Sequence, residues 1–191
     1  MKAITLDDIR GNAAYEKIRE DFRRSIIDLK KKRRVSVGDR VSLVFENRDT
    51  VMFQIQEMMR AEKITDLDKI REEIEAYRSL MPGPGELSAT LFLEIEDQSH
   101  LREDLLRFLG IDEAVSLKVG SLRIPAKFEV GRSKEDKISA VQYVKFHFDG
   151  DQRDAFEGSE PAWLCIDHPN YKAEARLGPE TRESLVADLK E

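Results

Sequence analysis

The chain has 191 residues, a net charge of -6, 40% hydrophobic and 37% charged residues, a composition that suits one large globular domain or two small ones. The acidic balance speaks against bulk affinity for nucleic acid, and no apolar run approaches the roughly 20 residues of a membrane span. A single cysteine, Cys165, leaves no intrachain disulfide and fits a reducing cytoplasm; acidic Asp7 and Asp8 come too early for a signal peptide, so a cytoplasmic location is expected.

In chain order, Asp7 or Asp8 caps a short first turn. Ile18, Phe22, Ile26 and Leu29 recur at spacings of three and four, which predicts a helix over 15–34. It ends in Lys30-Lys31-Lys32-Arg33-Arg34, cations that favour the negative end of the helix dipole. The competing reading of this run is a patch for DNA or anionic lipid. No aromatic residue interleaves with the cations as base stacking would need. Residues 35–45 read as two short strands turning at Gly38, with Val41, Leu43 and Phe45 on one face.

The polar cluster Glu46-Asn47-Arg48-Asp49-Thr50 then leads into a Met-rich helix. A second helix is expected over 66–80, with acidic Asp66 and Asp68 at its positive end. Met81-Pro82-Gly83-Pro84-Gly85 cannot continue a helix, and it divides a helical region, 1–85, from a β-rich region, 86–191, within one cooperative unit. Leu87, Ala89, Leu91, Leu93 and Ile95 alternate along a strand. A short helix follows, with Leu101, Leu105, Phe108 and Leu109 facing inward and Gly110 as its stop. Strands are expected over 115–119, 122–130, 138–148, 163–167 and 172–177, with a turn or helix lead-in at 149–151. Gly178-Pro179-Glu180 opens a C-terminal helix. Uneven blocks of strands and helices, without βαβ alternation, predict an α+β fold with a mainly antiparallel sheet, an N-terminal helical part and a C-terminal helix.

The Met-rich helix concentrates the unusual features. On a wheel of about 100° per residue, Val51, Met52, Ile55, Met58 and Met59 share one arc, and Glu62 falls among them. A buried carboxylate there would need a partner, a metal or a raised pKa; Glu62 also lies near the helix end, where a frayed last turn would free it. Phe53 lies on the opposite side with Gln56 and Arg60, so the helix is expected to be covered on two faces, in a core or at an interface. Asn47, Asp49 or Thr50 can cap it. Arg48 exceeds what a cap needs; its planar fork suits a carboxylate or phosphate, and a helix N-terminus beside it is a candidate anion site.

His100, His147 and His168 are too scattered to form a metal motif, so no metal or other cofactor is expected. Cys165 sits in an apolar strand and reads as a buried, inert thiol. His168-Pro169-Asn170-Tyr171 reads as a turn from which Tyr171 packs back on the sheet. No catalytic pair or triad can be specified. Asn47, Arg48, Asp49, Phe53, Gln56, Arg60, Glu62, His168 and Tyr171 are therefore candidates for a ligand site or interface.

Two stretches, 46–62 and 166–174, resemble a bacterial domain-of-unknown-function family of about this length. The resemblance implies no established activity. Members of that family are often encoded beside rubrerythrin-like di-iron proteins and iron–sulfur oxidoreductases, which implies a redox or oxidative-stress context by association. The leading expectation is a non-enzymatic cytoplasmic accessory protein that binds a partner, such as a redox protein, and forms a homodimer. The alternatives are an enzyme or small-anion-binding protein with its site at the start of the Met-rich helix, and a DNA-binding accessory acting through Lys30 to Arg34.

Overall fold

The computed structural model describes residues 1–95, 98–129, 133–134 and 137–191. Helix α1 (Asn12–Arg33) leads into a hairpin of β1 (Arg34–Val37) and β2 (Val41–Glu46). Two helices follow, α2 (Arg48–Ala61) and α3 (Leu67–Arg78). After the Pro-Gly break come β3 (Glu86–Leu93), the short α4 (Leu101–Leu106), β4 (Val115–Val119) and β5 (Leu122–Phe128). The small ladder of β6 (Ser133–Lys134) and β7 (Lys137–Ile138) precedes β8 (Val141–His147). Helix α5 (Gly150–Glu157), β9 (Ala162–His168), β10 (Tyr171–Arg176) and α6 (Pro179–Lys190) complete the chain.

Eight strands form one sheet in the order β1-β2-β3-β8-β5-β4-β9-β10, every neighbouring pair antiparallel. The fold is the expected α+β class. The sheet curls until its edge strands β1 and β10 approach each other, leaving it nearly closed. Alternation sends Leu43, Phe45, Leu87, Leu91, Leu117, Phe146 and Leu164 inward, as a period of two requires. Helices α5 and α6 add Phe156, Leu185 and Leu189 to that core. A second core lies between the helices and the outer face of the sheet, built from Val51, Met52, Ile55 and Met59 of α2 with Ile4, Ile64, Ile70 and Leu80. Strand β2 is therefore buried at all six positions, covered on both faces. It pairs along its whole length with β3, so the Pro-Gly break lies between adjacent strands of one sheet.

Several local expectations differ from the structure. Helix α4 stops after six residues, and Leu101 is 40% exposed, because one and a half turns cannot present four apolar side chains to the same core. Gly110 does stop this segment, in the left-handed conformation at φ +89°. Asp149 caps a complete helix, α5, by accepting from the Gln152 backbone N–H, where the sequence suggests only a turn or lead-in. The strand expected over 138–148 is divided between β7 and β8, and Val130, placed in a strand by its pattern, lies outside the described residues.

Candidate functional site

The segment 46–62 is held by reciprocal caps and cross-helix bonds. Asn47 Oδ1 accepts from Thr50 N–H at 3.1 Å, and Thr50 Oγ1 accepts from Asn47 N–H at 2.9 Å, so both ends of a capping box are satisfied. Asp49, the acid in the first turn, is exposed. Arg48 reaches back to the N-terminal segment, its Nη2 2.7 Å from Asp8 Oδ1. Its Nε is buried without an acceptor. The Asp8 carboxyl is lowered to about 2, first by the Thr5 backbone N–H and then by Arg48.

Further along α2, Gln56 forms two hydrogen bonds with the backbone of Arg10: its Oε1 accepts from Arg10 N–H at 2.8 Å and its Nε2 donates to Arg10 O at 3.0 Å. Glu57 accepts from Tyr15 Oη–H and from both Arg19 Nε and Nη2, each at 2.8 Å. The Arg19 guanidinium holds the Glu57 carboxyl below its ordinary value, while burial and Glu57 push the Tyr15 phenol up. Arg60 pairs with Glu16, its Nε 2.7 Å from Oε2. Phe53 meets Phe22 edge-on at 5.7 Å. Helix α2 is thus covered on two faces, with α1 supplying the second.

Glu62 leaves the apolar arc because α2 ends at Ala61. Glu62 is the C-cap and is exposed. The buried carboxylate of this region is Glu46, 3% exposed. It accepts from Thr90 Oγ1–H at 2.7 Å and from Gln54 Nε2–H at 3.1 Å. Its position at the end of an alternating strand gave no signal of burial, because that depends on α2 folding back over the sheet and on Thr90, 44 residues away on β3.

Between α1 and α2 lies an open groove of about 470 Å³. Tyr15, Ile18, Phe22 and Met52 give it an apolar lining, and Asp8, Arg10 and Arg48 stand at one end. Arg48 and Gln56 line the groove; Asn47, Asp49, Arg60 and Glu62 do not.

His168 and Tyr171 serve another region. His168 is 3% exposed. Its Nδ1 accepts from Asn170 N–H at 3.2 Å, which assigns the proton to Nε2, 2.8 Å from Leu109 O. Tyr171 Oη donates to Val37 O at 2.6 Å and accepts from Arg40 N–H at 3.0 Å. Phe108 packs on both rings. This pair docks the α4 segment and pins the seam where β10 meets the β1–β2 hairpin.

The basic run is only partly solvent-facing. Arg33 is fully buried; its Nε donates to Phe45 O at 2.8 Å and its Nη2 pairs with Asp188. Arg34 lies over the Phe92 ring and pairs with Glu94, and Lys31 pairs with Asp28. A run of five cations conceals the one at which the chain turns inward. Cys165 is 2% exposed, and burial pushes its thiol up. Among the described residues, no three His, Cys, Asp or Glu side chains are grouped to hold a metal ion. Nor, among them, is any helix long and apolar enough to cross a membrane.

The family model described as "Protein of unknown function (DUF3501)" matches residues 3–189. A crystal structure of a protein of unknown function from Burkholderia pseudomallei is 33% identical and superimposes with a TM-score of 0.92, covering 98% of this chain and 100% of the other. No curated protein matches the chain.

Proposed function

We propose, for a chain that belongs to the DUF3501 family of proteins of unknown function, a role as a non-catalytic accessory protein that binds a protein partner through the groove between α1 and α2. One observation carries this reading. Arg48, Gln56 and Arg60, which made 46–62 look like a reactive site, join α2 to its neighbours, Asp49 and Glu62 are exposed, and an open groove with an apolar strip remains beside them. A groove in which partly exposed Ile18 and Phe22 lie over buried Tyr15 and Met52, bordered by the polar side chains Asp8, Arg10, Asp21, Ser25 and Arg48, is suited to an apolar anchor with polar flanks from a partner.

The family resemblance makes a redox protein the first partner to seek, in a cytoplasmic, oxidative-stress setting. Self-association through the same groove is the homodimeric form of this reading. Substituting Ile18 by Glu places a charge in the groove and leaves Tyr15, Arg19 and Glu57 themselves unaltered. Loss of partner recovery in Ile18→Glu supports the proposal; recovery equal to that of the unaltered chain opposes it.

A second reading has one observation in its favour. Arg48 lines the groove at the first turn of α2 with its Nε lacking an acceptor, as a small-anion site or an enzyme's anion-binding subsite would have it. That reading requires Arg48→Met to abolish anion binding while leaving partner recovery intact.

A further inference from the structure

A separate polar constellation lies on the outer face of the sheet. The register sets Glu46 opposite Ser88, Ser88 opposite Lys145, and Lys145 opposite Lys127, in one row across β2, β3, β8 and β5. Like charges directly opposite on neighbouring strands repel, so the Lys127–Lys145 pair favours negative charge close by, although solvent screens part of the repulsion at exposed Lys127.

Glu86 meets part of that need. Its Oε2 is 3.1 Å from Lys145 Nζ and accepts from Gly83 N–H at 2.9 Å, and its Oε1 is 3.5 Å from His147 Nδ1. With those partners its charge is already engaged. Glu129, at the exposed rim, also has a partner. Lys127 has no ion pair among the described residues. Ser88 is 2% exposed, yet its hydroxyl makes no hydrogen bond among them. Among the described residues the enclosed side-chain polar atoms without a partner are Asn12 Oδ1 and Arg48 Nε, so the Ser88 hydroxyl keeps an open face from which it can donate.

Ser88, Lys127 and Lys145 line one cavity of about 250 Å³ together with Glu86, Glu129, Tyr143 and Phe128. Pockets for drug-sized ligands run from roughly 300 to 1,000 Å³; this one suits an ion or a small acid. We propose that the cavity binds a small oxyanion, a phosphate or carboxylate group. Lys127 and Lys145 supply the charge, and Ser88 Oγ–H donates the hydrogen bond it otherwise lacks.

The test uses the full chain at constant ionic strength, with chloride as the reference and inorganic phosphate or acetate added separately. Thermal unfolding and amide chemical shifts are followed. The expected result is a Tm that rises with anion concentration, with shifts centred on Ser88, Lys127 and Lys145. Lys127→Gln and Ser88→Ala each weaken binding by roughly tenfold, the equivalent of one lost hydrogen bond or charge contact. Without added anion, Lys127→Gln unfolds at or above the temperature of the unaltered chain, since a repulsive pair is gone; a structural lysine would lower it, and that outcome counts against the site. A response to phosphate alone identifies a phosphate site, and a response to acetate alone a carboxylate site. If neither anion moves Tm or these amides at tens of millimolar, or if both variants respond like the unaltered chain, the proposal is overturned.

Discussion

Arg33 and Asp188 form an ion pair 155 residues apart in sequence, with side chains 0% and 7% exposed. The guanidinium also donates to the carbonyls of Phe45 and Glu46 and to Ser184 Oγ. It therefore joins the end of α1, the end of β2 and the last helix at one point. Removing one partner of a buried pair strands the other charge, which costs about 3–5 kcal/mol. Arg33→Met and Asp188→Leu should each lower stability to urea by an amount in that range. The double variant should lose clearly less than their sum, because neither charge is then left alone.

Tyr171 and Gly38 make a second pair whose coupling can be measured. Gly38 has φ +73°, and a Cβ there would stand 2.2 Å from Tyr171 Oη. Gly38→Ala should therefore lose more than the roughly 1 kcal/mol expected of a left-handed alanine alone. Tyr171→Phe leaves Val37 O without its donor and Arg40 N–H without its acceptor, a loss of about 1–3 kcal/mol. With Tyr171→Phe already in place, the penalty for Gly38→Ala should shrink, as urea unfolding of the four-member cycle would record.

Asp8 sets a pH dependence at the Arg48 end of the groove. Its folded value, about 2, lies below the ordinary 3.8, so the folded state holds this proton less tightly than the unfolded chain. The stability it contributes is present above pH 3.8 and disappears as pH falls through 2. A carboxyl NMR titration should give about 2 for Asp8. Arg48→Met should raise that value while leaving it below 3.8, because the Thr5 backbone N–H, the larger cause, remains.

Glu57 positions α1 against α2 through Tyr15 and Arg19. Glu57→Gln keeps the shape and removes the charge from these bonds. The expected loss is about 1–3 kcal/mol, with faster amide exchange in α1 around Tyr15 and Arg19. Unchanged exchange there would show that apolar packing alone holds the helix.

The basic run should not confer DNA binding, since Arg33 is enclosed and Lys31 and Arg34 are paired. An electrophoretic band unshifted at low salt is expected. A salt-dependent shift abolished by Lys30→Glu and Lys32→Glu would contradict this.

Periodicity made the sheet strands, α2, α3 and the C-terminal helix legible, because burial on one face writes itself into the spacing of apolar residues. It also exposed the second covered face of α2 through Phe53. What it concealed depends on contacts between distant segments. Whether Glu62 is buried was open in the sequence, because a wheel places it in the apolar arc only if the helix continues, and α2 stops one residue earlier. Arg33 looked solvated because its acceptors are backbone carbonyls of β2 and side chains of α6. Glu57 carried no sign of its role, since Tyr15 and Arg19 reach it from another helix. Lys127 and Lys145 become neighbours only once β5 and β8 are in register.

Co-purification from the native host, comparing the unaltered chain with Ile18→Glu, tests the proposed role most directly. The prediction is an oxidoreductase recovered in stoichiometric amounts with the unaltered chain and lost with Ile18→Glu, while both chains unfold at similar temperatures. Recovery of no such protein, or equal recovery with both chains, would contradict it.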